Sequence, residues 1–167
     1  MTAKTEDNID TQDDVWMGEA LLLAQRAADD GEVPIGAVVV GEGKIIGRGW
    51  NRNIGLNDPS AHAEIMAMRE AGQALANHRL VGCCLYVTLE PCPMCAGAMI
   101  HARLDRVVYG AEDPKTGAAG GKFDLLGNPA HNHVPVIDGA CLADRCSELL
   151  RDFFRQRRKP GSSPLAE

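Results

Sequence analysis

Apolar residues recur at helical spacing between about residue 14 and residue 30, and this period predicts an amphipathic helix. The apolar positions are Val15, Met17, Ala20, Leu21, Ala24, Ala27 and Ala28. Gly31 ends the pattern. Residues 1–12 show no such period and are expected to be disordered, so the predicted domain begins at residue 13.

Short apolar, β-branched runs bounded by glycine or proline predict strands further along the chain. Strands are expected over 34–40, 44–50, 83–89, 104–109 and 134–137, and helices over 60–76, 93–102 and 140–158. The turn Gly41-Glu42-Gly43 joins the first two strands into a hairpin. A hairpin followed by strands that alternate with helices predicts an α/β fold, in which helices cover both faces of a mixed sheet.

Two segments lack either period. Residues 111–133 form a long, glycine-rich stretch, and loops of that length inside a compact domain are usually functional. Residues 160–167 are expected to be a disordered tail, so the predicted domain ends at residue 159.

The bulk composition is that of one globular domain. The chain has 167 residues, of which 45% are hydrophobic and 24% charged. No apolar run approaches the roughly 18 residues of a membrane span. The first fourteen residues carry five acidic residues against one lysine, unlike a signal peptide, so we expect a cytoplasmic protein.

The charge is unevenly distributed. A net charge of −6 argues against general nucleic-acid binding, yet residues 151–159 hold five basic residues, one acidic residue and two phenylalanines. Basic residues at a helix end often form only a solvated face that complements the helix dipole. The run alone therefore leaves RNA contact and a solvated face both open.

His62, Cys92 and Cys95 are candidate ligands of one zinc ion. Cys92 and Cys95 are three positions apart and share one face of a helix. His62 and Glu64 are two positions apart, so both can reach one metal only where a helix begins. We therefore expect two helix N-termini to converge on the zinc. Three protein ligands leave the fourth position to water, as in catalytic sites.

Glu64 is the candidate catalytic residue. Zinc can lower the pKa of bound water to about 7, and a neighbouring carboxylate can then move protons between that water and a substrate.

Other interpretations of these residues stay open. Cys92 and Cys95 could be a thioredoxin-like redox pair. A structural zinc site would need Glu64 or Cys83 as its fourth ligand, and Glu64 could be an ordinary solvated residue. The remaining cysteines, at 83, 84, 141 and 146, are expected to be small apolar residues in a reducing compartment.

The two fragments Ala61-His62-Ala63-Glu64 and Pro91-Cys92-Pro93-Met94-Cys95 match the signature of zinc-dependent nucleobase deaminases. Further motifs lie at 32–40, 49–52, 58–64, 88–100, 113–120 and 152–155. From about residue 16 to residue 158 the chain therefore resembles the cytidine deaminase-like superfamily, and within it the bacterial tRNA-specific adenosine deaminases.

That resemblance implies a three-layer α/β/α sandwich with a mixed five-stranded sheet, a homodimer, and one zinc ion per chain. It implies conversion of adenosine to inosine at the wobble position of a tRNA anticodon stem-loop. His62, Cys92 and Cys95 match its zinc ligands, and Glu64 matches its proton shuttle. The positions that match substrate contacts are Asn51, Ala63, Asp113, Phe153 and Arg155.

Simpler roles exist for some of these positions. Asn51 could hold a loop turn, Asp113 could initiate one, and Phe153 could belong to the core.

Two competing functions follow from the same residues. A deaminase of free bases or nucleotides, of the guanine or cytosine type, would share the zinc and Glu64 but would not need the basic C-terminal run. A non-catalytic, zinc-stabilised RNA-binding subunit would keep the ligands but would have no use for Glu64.

Overall fold

The computed structural model describes residues 3–158, with side chains from residue 12 onward. Five strands form one mixed sheet in the order β2-β1-β3-β4-β5. They are β1 Gly36–Gly41, β2 Lys44–Trp50, β3 Cys83–Leu89, β4 Arg106–Ala111 and β5 Val136–Asp138. Strand β1 is antiparallel to both neighbours, whereas β3, β4 and β5 are parallel.

Helices cover both faces of the sheet. They are α1 Ala3–Asp29, α2 Asn53–Leu56, α3 Ala63–Leu75, α4 Pro93–Ala102 and α5 Ala143–Arg157. Successive strand residues point to opposite faces. Val38, Tyr86 and Val108 accordingly pack with α1 and α5, while Val39, Leu85 and Val107 pack with α3 and α4. The expected three-layer α/β/α sandwich around a mixed five-stranded sheet is confirmed.

The observed boundaries agree with the expected ones for β2, β3 and α4 and differ elsewhere by a few residues, except at the start of α1. Helix α1 begins at Ala3, so it runs through most of the segment expected to be disordered. The short helix α2 was not predicted. The tail at 160–167 lies outside the described residues. Within residues 3–158, no helix is long and apolar enough to cross a membrane.

Glycines on β2 let α3 lie directly on the sheet. A Cβ at Gly49 would collide with the Ala63 carbonyl, and a Cβ at Gly47 would collide with the Ala67 carbonyl. Ala63, Ala67 and Ala71 lie four positions apart on α3 and are fully buried. The resulting close approach sets the position of the first turn of α3, which carries Glu64.

A partly buried ionic network ties α1 to the other half of the sheet. The Arg106 guanidinium on β4 donates to both carboxylate oxygens of Asp13 at 2.8 Å and to Asp138 at 2.8 Å. The Tyr86 hydroxyl also donates to Asp13, at 2.7 Å. Burial opposes ionisation of Asp13, but these donors hold its pKa below the usual range. The network joins α1, β3, β4 and β5.

We predict that Gly49→Ala destabilises the fold by about 1–3 kcal/mol, because its methyl group must displace the backbone of α3. Gly18→Ala is the matched control. Gly18 lies in α1 with no atom within 4 Å of an added Cβ, so the change should add roughly 0.5–1 kcal/mol of stability. Urea unfolding of both variants measures the difference, and a Gly49→Ala midpoint equal to the wild-type one would contradict the packing.

Candidate active site

Two helix N-termini meet at one point, as the sequence predicts. His62 is the N-cap of α3, Cys92 is the N-cap of α4, and Cys95 lies in the first turn of α4. The His62 Nδ1 atom lies 3.5 Å from each of the two Sγ atoms. The three ligand atoms all lie within 4.8 Å of one another, so these residues could hold a metal ion.

These separations fit zinc. Bond lengths of about 2.0 Å to nitrogen and 2.3 Å to sulfur, at tetrahedral angles, place the two ligand atoms about 3.5 Å apart. Helix N-termini favour thiolates through the positive end of the helix dipole. Donor types, spacing and electrostatic setting therefore all suit a zinc ion with one coordination position left for water.

The three candidate ligands are electrostatically coupled to one another. A hydrogen bond from the Cys95 thiol, with a contribution from His62, lowers the pKa of Cys92 to about 4. The pKa of Cys95 is raised, because its thiol pairs with Cys92 and because it is buried. Hydrogen bonding to Cys92 raises the pKa of His62.

Glu64 lies two residues after His62 in the first turn of α3 and is buried. Burial raises its pKa, although a hydrogen bond with Cys95 acts in the opposite direction. A solvated surface residue would not be buried, so that interpretation of Glu64 fails. Cys83 begins β3 and is about 20 Å of strand away from the metal-binding end, so it cannot complete a structural zinc site.

A cavity of about 250 Å³ opens onto this group. Its lining residues are Val33, Ile35, Asn51, Asn53, His62, Glu64, Leu89, Glu90, Cys92, Asp113 and Thr116. Drug-sized ligands occupy sites of roughly 300–1,000 Å³, so this smaller cavity suits a single planar base rather than a polynucleotide strand. The cavity brings the predicted Asn51 and Asp113 to the same place as Glu64.

Asn51 and Ala63 contact each other in the cavity wall. The Ala63 N–H donates to Asn51 Oδ1 at 2.9 Å, so the Asn51 side chain helps to cap α3. Among the residues whose side chains are described, none accepts a hydrogen bond from Asn51 Nδ2, which leaves this donor for a ligand. The Ala63 N–H is already paired, so its predicted contact with substrate would require sharing that donor.

Asp113 organises a turn as well as lining the cavity. Its carboxylate accepts the Lys115 N–H at 3.0 Å and the Thr116 hydroxyl at 2.7 Å. The simpler role of turn initiator is therefore real, and it coexists with a position in the cavity wall.

Phe153 and Arg155 do not line the cavity. Phe153 is half-buried between α5 and α1 with the Arg157 guanidinium 4.4 Å above its ring, and Arg155 pairs with Asp152 at 3.2 Å. Arg157 also donates to the Gly31 carbonyl at 2.6 Å. Gly31 lies two residues before Val33 in the cavity wall, so the end of α5 is next to the cavity rim.

Several residues at the site were not predicted. Asn53, Glu90 and Thr116 line the cavity; Asn53 directly follows the motif at 49–52, and Glu90 and Thr116 lie within the motifs at 88–100 and 113–120. The guanidinium carbons of Arg26 and Arg52 lie 4.1 and 5.4 Å from the centroid of the Trp50 ring. Trp50 directly precedes Asn51 in the chain. A basic residue within the last turn of α1 gives no sequence signal of this contact, because the contact depends on how α1 packs on β2.

Comparison with known proteins places these observations in a family. The model of the MafB19-like deaminase family matches residues 11–158. A tRNA-specific adenosine deaminase of Haemophilus influenzae is 47% identical over 148 residues, which cover 88% of this chain and 86% of that protein.

Solved structures of similar fold are also those of deaminases. A structure from biochemical and structural studies of A-to-I editing by tRNA:A34 deaminases is 45% identical, with a TM-score of 0.78, and the match covers 81% of this chain and 98% of that one. A guanine deaminase from Nitrosomonas europaea is 25% identical, with a TM-score of 0.72, covering 84% of this chain and 83% of that one.

We predict that Cys92→Ser loses most of its bound metal, because a thiolate ligand is replaced by a hydroxyl that does not ionise at neutral pH. Wild type should hold about one metal ion per chain in elemental analysis. Cys141→Ser is the control, since Cys141 lies outside the ligand group, and it should keep the wild-type content. Full metal retention in Cys92→Ser would rule out the assigned ligand set.

Proposed function

The chain belongs to the MafB19-like deaminase family, and we propose that it converts adenosine to inosine at the wobble position of a tRNA anticodon by zinc-dependent hydrolysis. The observation that carries the proposal is a buried Glu64 beside a three-ligand metal group at the floor of a base-sized cavity. We assign the zinc ion to His62, Cys92 and Cys95, at one ion per chain.

A zinc ion held by these three side chains would lower the pKa of a bound water and so supply the nucleophile at neutral pH. Glu64 accepts a proton from the attacking water and passes it to N1 of the adenine ring. Glu64 then takes the second proton from the hydroxyl formed on C6 and gives it to the amine; the C6–N bond breaks, ammonia leaves, and C6 keeps the oxygen as the carbonyl of inosine. Burial raises the pKa of Glu64, which makes its carboxylate a stronger base and so favours its uptake of a proton from water.

Asn51 and Asp113 orient the base in this proposal. Asn51 Nδ2 is directed to no described protein acceptor and can donate to a ring nitrogen of the purine. Asp113 lies on the opposite loop and faces the nucleotide at the cavity mouth. The apolar side chains of Val33, Ile35 and Leu89 complete the wall around a flat ring.

The substrate must present its base outside a duplex, because a stacked and paired base cannot reach the cavity floor. An anticodon loop is already single-stranded, and its bases can be splayed out at modest cost. Basic residues near the rim supply attraction to phosphates that the acidic chain otherwise lacks. They are Arg26, Arg52, Arg151, Arg155, Arg157 and Arg158; the predicted Lys159 lies outside the described residues.

We also propose a homodimer and a cytoplasmic location. An apolar groove of about 830 Å³ runs between α3 and α4, with Ile65, Met68, Leu80 and Ala98 in its wall. The groove lies beside the two helices that carry the metal ligands. Light scattering on the zinc-loaded protein tests the dimer.

We predict that Glu64→Gln folds, keeps its metal and loses deamination by at least about 10²–10⁴-fold, because the amide cannot carry the proton. Inosine formation in a tRNA stem-loop and elemental analysis are measured together. Loss of metal in Glu64→Gln would instead make Glu64 a ligand and the site structural.

We predict that Arg151→Gln combined with Arg158→Gln raises KM for the stem-loop. It should also lower the slope of log KM against log salt by roughly one to two, since up to two phosphate contacts are lost. Both side chains are exposed, whereas Arg157 holds α5 against α1 and is left intact. Lys44→Gln is the control, because Lys44 starts β2 and lies about 20 Å from Trp50 at its other end. An unchanged salt slope would exclude these arginines from RNA contact.

The guanine deaminase neighbour makes free-base deamination the discriminating alternative. We predict turnover of an anticodon stem-loop with adenosine at the wobble position, and far slower turnover of free adenosine, guanine and cytosine. A free base or nucleoside that reacts as fast as the stem-loop would favour the alternative.

A further inference from the structure

Glu90 carries a buried carboxylate that is not one of the three candidate metal ligands and takes no part in the proposed proton transfer. Only 2% of its surface is exposed. It follows the last residue of β3 and precedes Cys92 by two positions. Among the residues whose side chains are described, no arginine or lysine pairs with it. A buried carboxylate without a cation needs other donors to compensate for its lost hydration.

The compensating donors are backbone N–H groups of a single loop. Glu90 Oε2 accepts the Asp113 N–H at 2.9 Å, and Oε1 accepts the Gly121 N–H at 2.7 Å and the Ala119 N–H at 3.1 Å. The loop between Asp113 and Gly121 therefore closes around the end of the Glu90 side chain.

The loop is shaped to admit this carboxylate. A Cβ at Gly117 or at Gly121 would collide with atoms of the Glu90 carboxylate. Neither glycine has the positive φ that would explain it by backbone conformation alone. Their lack of a side chain is required by the close approach of the Glu90 carboxylate and of the Asp113 carbonyl, which the same carboxylate group holds in place through the Asp113 N–H.

The same loop forms one wall of the cavity. Asp113 and Thr116 lie on it and line the cavity together with His62 and Glu64. The Ala118 N–H also donates to the Pro91 carbonyl at 2.7 Å, directly before Cys92. Glu90 thus connects the loop that faces the substrate to the segment that delivers the metal ligands.

We propose that Glu90 is a positioning residue that holds the loop of residues 113–121 in its substrate-binding shape. This inference rests on the proposed tRNA deamination only for its kinetic consequence. Glu90 lies in the cavity wall, but only 2% of it is exposed and both of its carboxylate oxygens accept N–H groups of the loop. Its effect is transmitted through the backbone of the loop to Asp113 and Thr116.

The test uses Glu90→Gln in the full-length, zinc-loaded protein. The amide keeps the size of the side chain but places an NH₂ group where an oxygen accepted an N–H. Amide hydrogen exchange at residues 113–121 should accelerate by roughly five- to a hundredfold, while exchange in α3 and β3 should stay as in wild type. KM for the stem-loop should rise by a similar factor, and kcat and metal content should change little.

Two further variants separate positioning from general destabilisation. Gly121→Ala attacks the Glu90 contact from the loop side, and its methyl group also meets the Asp113 carbonyl, so it should give exchange and KM changes in the same direction and at least as large. The double variant should be no worse than the stronger single one, because both act on one contact. Glu70→Gln is the matched control. Glu70 also accepts a backbone N–H, that of Arg48 at 2.6 Å, but lies outside the cavity, so exchange in the loop should not change.

Unchanged exchange at 113–121 in Glu90→Gln would overturn the proposal, as would additive effects in the double variant. Acceleration spread evenly over the whole chain would also overturn it, since that is the mark of global destabilisation. The exchange measurement needs no substrate. If wild type failed to deaminate the stem-loop, the proposed function would fall while the role of Glu90 was still decided.

Discussion

The convergence of two helix N-termini on three soft ligand atoms is the constraint on which the rest of the structure depends. Cys92 and His62 are both N-cap residues, so their side chains stand where the positive ends of two helix dipoles meet. This setting stabilises thiolate without any lysine or arginine in the ligand group. The packing of α3 on the glycines of β2, and the direct passage from β3 into α4, bring the two helix ends together.

Buried glutamates serve two different purposes around this centre, and their surroundings decide which. Glu32 accepts N–H groups of Ile54 at 3.2 Å and Gly55 at 2.8 Å, and so holds α2 on one side of the cavity. Glu90 does the same for the loop on the other side. Glu64 is also buried, but it lies beside the three candidate metal ligands, and burial raises its pKa. The carboxylate oxygens of Glu32 and Glu90 accept backbone N–H groups and hold the cavity walls in place, whereas the Glu64 carboxylate can exchange a proton.

The sequence predicted the elements whose cause is local. Strands β2 and β3 alternate or run apolar between clear breakers, and α4 starts at a proline, so their bounds agree with the structure. The start of α1 was wrong, because its first turns carry polar residues with no apolar period. Helix α2 was missed because Glu32, far away in sequence, holds its N–H groups.

The residues of the candidate site also divide into those that the sequence could predict and those that depend on the folded chain. His62, Glu64, Cys92 and Cys95 were predicted from spacing, since one metal at two helix starts demands that pattern. Glu90 could not be predicted, because its partners are backbone groups that only the folded loop supplies.

The sheet and its helices are separate from the segments that surround the cavity, and this separation allows one fold to host different deaminases. The guanine deaminase from Nitrosomonas europaea shares the fold at 25% identity, so the fold alone does not determine the substrate. Discrimination between substrates must reside in the segments outside the shared core. Here these segments are the loop held by Glu90, the segment held by Glu32, and the end of α5. The basic residues of α5 are not equivalent in this respect. Arg157 contacts Gly31 and Phe153 and fixes the helix beside the cavity rim, and in the proposed function this anchoring presents the exposed Arg151 and Arg158 to a polyanionic substrate.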